Sequence, residues 1–124
     1  MFGLKETVAT IPVKDLAKAS RFYEEKLGLT KGRTEGEEAV AYRSGSSGVL
    51  VYRSQFAGTN KATAATLVVD DVEKAVETLK SKGISFEHYD MPGMTRKGDV
   101  HLGGNTKVAW FKDPDGNILS LVDH

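Results

Sequence analysis

At 124 residues the chain has the length of one domain, enough to bury roughly two-thirds of its unfolded surface. Seventeen basic and seventeen acidic residues leave a net charge of zero with no long run of either sign, which argues against nucleic-acid or anionic-membrane surfaces built on clustered Lys and Arg. The absence of cysteine excludes a disulfide framework, a thiol nucleophile and any Cys-ligated metal; with no signal-like or membrane-length apolar run, the expected location is cytoplasmic.

Thr7–Val13 alternates as a strand, with Ala9, Ile11 and Val13 on one face and Val8, Thr10 and Pro12 on the other. Pro12 cannot donate to a ladder and belongs at an edge or a strand end. Asp15 is placed to cap a helix whose stripe is Leu16, Ala19, Tyr23 and Leu27, with Phe22 beside it. Gly28 closes that helix as a left-handed cap. A strand-and-turn region follows from Leu29. Glu38–Arg43 and Gly48–Arg53 then read as a hairpin about the Ser44–Gly48 turn. Gln55–Thr63 is a polar linker.

Beyond the linker the plan repeats. A shift of 56 residues sets Thr10 on Thr66, Val13 on Val69, Asp15 on Asp71, Lys18 on Lys74 and Lys26 on Lys82. Removing one residue near Leu27 brings Gly28 onto Gly83 as well. The second copy has a strand through Ala65, Leu67 and Val69, a possible capping box of Asp70 with Glu73, and a helix stripe of Val72, Ala75, Val76 and Leu79. Two such copies need partners to bury their faces, which makes the repeat the first architectural fact. Ile84–Tyr89 is the next expected strand, and Asp90–Lys107 a long irregular segment of the kind that often forms a functional lid. Val108–Lys112 and Ile118–Asp123 are strands about the Asp113–Asn117 turn, with Leu119 and Leu121 facing the helices and Ile118, Ser120 and Val122 the other way.

The fragments IPVKDLAKASRFYEEKLGL, LVVDDVEKAVETLKSKG and the closing DPDGN, in that order and spacing, resemble the vicinal oxygen chelate superfamily. That group includes glyoxalase I, extradiol dioxygenases, fosfomycin-resistance enzymes and bleomycin-resistance proteins. The resemblance implies an α+β fold of two tandem βαβββ units, their curled antiparallel-mixed sheets around a cleft and the helices outside. It implies a single domain, 1–124, with unit one over about 5–55, a linker over 56–63 and unit two over 64–124. It also implies a small organic ligand in the cleft and a homodimer. Metal-dependent members carry a histidine where this chain has Val8, a ligand opening the second unit where it has Ala64, and a glutamate in the last strand where it has Ser120. The fourth ligand position falls in Gly48–Tyr52, which holds no acid, His or amide side chain. Aliphatic side chains supply no donor to a divalent cation, so neither a metal nor any other cofactor is expected.

The candidate ligand-binding residues are Thr10, Tyr42, Tyr52, Thr66, His101, Trp110 and Ser120. Thr10, Thr66 and Ser120 have the parity for the concave face; parity leaves the sides of Tyr42, Tyr52 and Trp110 open, and Trp110 and Phe111 must face opposite ways. His101 lies in the glycine-rich segment beside Arg96, Lys97 and Asp99, placed either to hydrogen-bond a ligand or to be solvated. His88 reads as a cross-strand surface residue, and Met91 and Met94 as ligand contacts or as anchors of the segment. Asp113 and Asp115 fit a turn better than a catalytic carboxylate pair, and Ser120 lacks a nucleophile elbow. The leading functional expectation is a metal-independent protein, like the bleomycin-resistance branch, that binds a small, mostly apolar molecule. The alternatives are a metal-assisted lyase, isomerase or dioxygenase of the same superfamily, and a dimeric partner domain with a vestigial cleft.

Overall fold

A computed structural model of the chain describes residues 2–90 and 92–123. Met91 and the terminal His124, both considered above, lie outside them. The chain divides into two compact units, Met1–Ala57 and Gly58–His124.

The first unit opens with β1 (Ala9–Val13) and a helix in two parts, α1 (Leu16–Ser20) continuing as a π-helical segment over Arg21–Lys26. Three strands follow: β2 (Thr30–Glu35), β3 (Ala39–Ser44) and β4 (Ser47–Arg53). Their order across the sheet is β1-β4-β3-β2, with β1 parallel to β4 and the remaining pairs antiparallel. The face carrying Ile11, Val13, Val40, Tyr42 and Val51 is buried, as are Ala19, Phe22 and Tyr23 of the helix. Phe22 and Tyr23 meet edge to face, and Tyr23 stacks on Tyr42 with centroids 6.2 Å apart.

The second unit repeats this with β5 (Thr63–Val68), α2 (Val72–Ser81) and a longer run of strands. These are β6 (Phe86–Glu87), β7 (Thr95–Lys97), β8 (Val100–Gly103), β9 (Thr106–Lys112) and β10 (Ile118–Val122). The order is β5-β10-β9-β8-β7, again with the parallel pair at the start, and β6 pairs with β9. Leu119 and Leu121 share the buried face with Phe111, and α2 packs on it through Val72, Val76 and Leu79. As expected, Ser120 faces the other way. It pairs with Thr66 on one side and Trp110 on the other.

The repeat extends to the caps. The Asp15 carboxylate accepts from the Lys18 N–H and the Asp71 carboxylate from the Lys74 N–H, each at 3.2 Å. The helix is therefore capped by Asp71 and not by the Asp70–Glu73 box. A second carboxylate, Asp123, accepts from the Val72 N–H at 2.9 Å, reaching a first-turn amide from the end of β10. Gly83, at φ 88°, closes α2 with the Ile84 N–H on the Leu79 carbonyl and the Gly83 N–H on the Lys80 carbonyl. Gly28 takes φ 72° in the same role, one residue late relative to the repeat. That extra residue is absorbed inside the first helix: the Leu27 N–H reaches back five residues to the Phe22 carbonyl, the signature of a π-turn.

Two expectations are corrected. Asp90–Lys107 is not irregular throughout: β7 and β8 form a short hairpin within it, and β9 starts at Thr106. The hairpin's outer strand, Thr-Arg-Lys, is exposed on both faces and so lacks any apolar alternation. The strand expected over Ile84–Tyr89 shrinks to Phe86–Glu87, because His101 takes over the hydrogen bonding where β6 ends.

Candidate functional site

In the second sheet, His101 pairs with Val108 and Trp110 with Ser120, so both side chains lie on the Ser120–Thr66 face. The Ser120 and Thr66 hydroxyls are 2.8 Å apart and hydrogen-bonded. The Trp110 indole N–H donates to the Thr63 hydroxyl at 3.2 Å, which anchors the ring's polar edge. Tyr89 and His101 each meet Trp110 edge-on, with centroids 5.3 and 4.8 Å away. Trp110, Val108 and Ile118 form a small core on this face, with Tyr89, Met94 and Val122 packed against it. Beside it, a cavity of about 390 Å³ is lined by Lys61, Ala62, Thr63, Tyr89, Asp90, Trp110 and Ile118. Thr66 and Val68, on the edge strand, remain exposed.

His101 is buried, with 1% of its surface exposed. Its Nε2 accepts the Tyr89 backbone N–H at 3.0 Å. An N–H can only donate, so Nε2 presents its lone pair and the ring proton sits on Nδ1. Nδ1 is buried and has no hydrogen-bond partner. Nearby, His88 belongs to a surface chain of charges. Its Nε2 lies 2.7 Å from Asp99, its Nδ1 2.9 Å from Arg96, and Asp99 also takes the Lys80 ammonium at 2.7 Å. The Lys80 and then the His88 hydrogen bonds hold the Asp99 carboxyl below its ordinary value. The network ties β7 and β8 to α2 and the end of β6.

In the first unit, Thr10 and Tyr52 share a sheet face with Leu50, Ala41 and Arg43, and the Val8 side chain lies near the bare Cα of Gly48. A cavity of about 410 Å³ opens along this strand region, with Val8, Arg43 and Leu50 in its lining. Tyr42 turns the other way. Its hydroxyl lies 2.8 Å from Glu24 Oε2 and 3.1 Å from Ser20 Oγ, so the single phenolic proton goes to the carboxylate and the serine hydroxyl donates to the phenol. The second sheet has the counterpart: Phe111 is to Leu119 what Tyr42 is to Val49, the helix-facing aromatic one position along from the pair Leu50–Ala41 or Ser120–Trp110. The β7–β8 insertion breaks the 56-residue offset before β9, so the sequence repeat does not carry this correspondence. Tyr89, a wall of the cavity beside Trp110, had no signal beyond being aromatic at the end of an expected strand.

The Asp113–Asn117 turn is structural. Asp113 Oδ1 accepts from the backbone N–H groups of Asp115 and Asn117, both at 2.9 Å, and Oδ2 from the Asn117 side chain at 2.8 Å.

The fold and these strand pairings define a class, the paired βαβββ proteins with a helix on one face of each sheet. The family model described as the Glyoxalase/Bleomycin resistance protein/Dioxygenase superfamily matches residues 5–121, and the chain belongs to that superfamily. A probable lactoylglutathione lyase of Vibrio parahaemolyticus is 28% identical over 125 residues, spanning 90% of this chain and 85% of that protein. The lactoylglutathione lyase of Agrobacterium tumefaciens matches with a TM-score of 0.71 at 17% identity, over 98% of this chain and 95% of that one. TnmS3, an antibiotic binding protein from Streptomyces sp. CB03234, matches with a TM-score of 0.70 at 20% identity, over 99% and 98%. At such identities the two structures speak for the fold alone.

The superfamily's metal chemistry needs donors that this chain does not offer at the matching positions. Val8 and Ala64 present aliphatic side chains, and the Ser120 hydroxyl is engaged with Thr66. Among the described residues, no three His, Asp or Glu side chains gather closely enough to hold a metal ion. The residues do not fit the family ion. No helix among the described residues is long and apolar enough to cross a membrane.

Proposed function

We propose that the protein binds a small, mostly apolar organic molecule on the Trp110 face of its second sheet, without the superfamily's metal. The observation that carries this reading is that Trp110 and Ile118, on β9 and β10, and Tyr89, just past β6, stand beside a cavity of about 390 Å³, while the family's ligand positions hold no donor set for a metal. That volume lies within the range of roughly 300–1,000 Å³ usual for sites that enclose small ligands. An apolar floor with a few placed polar groups, here Thr63 and Asp90, gives burial and orientation together. An antibiotic binding protein of the same fold supports small-molecule binding as a use of this scaffold.

The chain has one tryptophan, so its emission reports on this site alone. Titration with planar aromatic compounds and quinones is expected to yield at least one saturable change in that emission. Calorimetry on Trp110→Leu should then show binding of that compound weakened by about two- to tenfold, the worth of one aromatic contact. A panel with no saturable response, or metal-dependent turnover of lactoylglutathione, overturns the reading.

A further inference from the structure

His101 lines a second cavity, of about 340 Å³, that shares Tyr89 and Asp90 with the one beside Trp110 and adds Met94 and Arg96. A buried N–H with no acceptor is destabilising in any protein, and the one at His101 Nδ1 is held rigidly. Its ring is fixed by the Tyr89 N–H at Nε2 and by edge-on contact with Trp110. Neither restraint consumes the Nδ1 proton. Arg96, on the paired strand, points its Nη1 at His88 and at the Gly98 carbonyl, and it too lines the cavity. The remaining wall is adaptable: Met94 rests on the bare Cα of Gly103, where an added Cβ would stand 3.1 Å from its side chain. Nδ1 has no solvent contact, so an incoming group reaches it by displacing side chains, and an unbranched methionine is the kind that yields.

We infer that His101 Nδ1–H is a ligand donor, and that the ligand is a planar organic molecule carrying a carbonyl or carboxylate oxygen that accepts from it. The inference rests on the binding reading above and narrows its ligand class. The imidazole acts as a fixed hydrogen-bond donor; no bond to the ligand is made or broken.

The test uses three matched probes on the full chain: 1-acetylnaphthalene, 1-naphthoate and 1-ethylnaphthalene. Long-range ¹H–¹⁵N spectra of the histidine side chains should show His101 as the Nδ1–H tautomer, with that proton moving downfield on addition of a probe that has an oxygen acceptor and not with the hydrocarbon. At least one oxygen-bearing probe should bind about tenfold more tightly than 1-ethylnaphthalene. His101→Gln keeps an acceptor for the Tyr89 N–H while removing the Nδ1 donor, and should abolish that preference. Equal binding of all three probes, or an Nε2–H tautomer, overturns the inference and leaves the binding reading standing. Binding of none overturns both.

Discussion

Tyr42 shows how one side chain can look like a site and serve the core. Burial above all, with the Glu24 carboxylate adding to it and the Ser20 hydroxyl opposing, pushes its pKa up to about 12. A phenol whose folded pKa is raised favours the folded state fully below its unfolded value near 10, and that contribution is lost as pH rises from about 10 through 12. Ultraviolet titration should therefore show a tyrosine ionising about two units late, and Tyr42→Phe should remove that step. The variant should cost about 1 kcal/mol at neutral pH through the lost hydrogen bond and the carboxylate left behind. If all four tyrosines titrate together near 10 in the folded protein, the placement of Tyr42 against the helix is wrong. Alternation made Val40 and Tyr42 share a face, but a tyrosine suits a buried or a ligand-lined surface equally, so parity alone left its side open. His101 was legible only as a histidine beside charges. That its Nε2 would replace a strand amide's partner depends on β6 ending at Glu87, which no local pattern announces.

At the level of elements, the repeat was the most readable feature because each copy carries the same cap, stripe and closing glycine. The one-residue discrepancy near Leu27 was legible too, and its physical form is the π-turn of Arg21–Lys26. What sequence left ambiguous was which of two adjacent aspartates caps α2. Asp71 makes the bond, so Asp71→Ala should cost about 1 kcal/mol by urea unfolding, whereas Asp70→Ala should stay within about 0.5 kcal/mol of the parent. The reverse ranking would contradict the cap assignment. The β7–β8 hairpin escaped sequence reading because its outer strand is exposed throughout, and because turn glycines, Gly98 and Gly104 at positive φ, read as loop composition. Its turn is tied to the rest of the unit by polar contacts that span elements, Lys80 to Asp99 and His88 to Asp99, which no short window along the chain contains.

For the molecule as a whole, superfamily membership was carried by the order of short fragments, none of them decisive alone. The homodimer remains a proposal. It rests on the family resemblance alone, with a second copy of the chain as the expected partner. Sedimentation at tens of micromolar should give twice the 13.5 kDa chain mass; a value near 13.5 kDa would refute it. The central claim is binding without the family metal, and it follows from what Val8, Ala64 and Ser120 can and cannot donate. The most direct measurement is a calorimetric titration of one compound selected by its effect on Trp110 emission, run once in chelator and once after dialysis against nickel, zinc, manganese and iron salts. The account predicts the same stoichiometry and affinity in both, with no metal retained by the dialysed protein. Binding that appears only with stoichiometric metal, and that Ser120→Ala abolishes together with the metal, would contradict it.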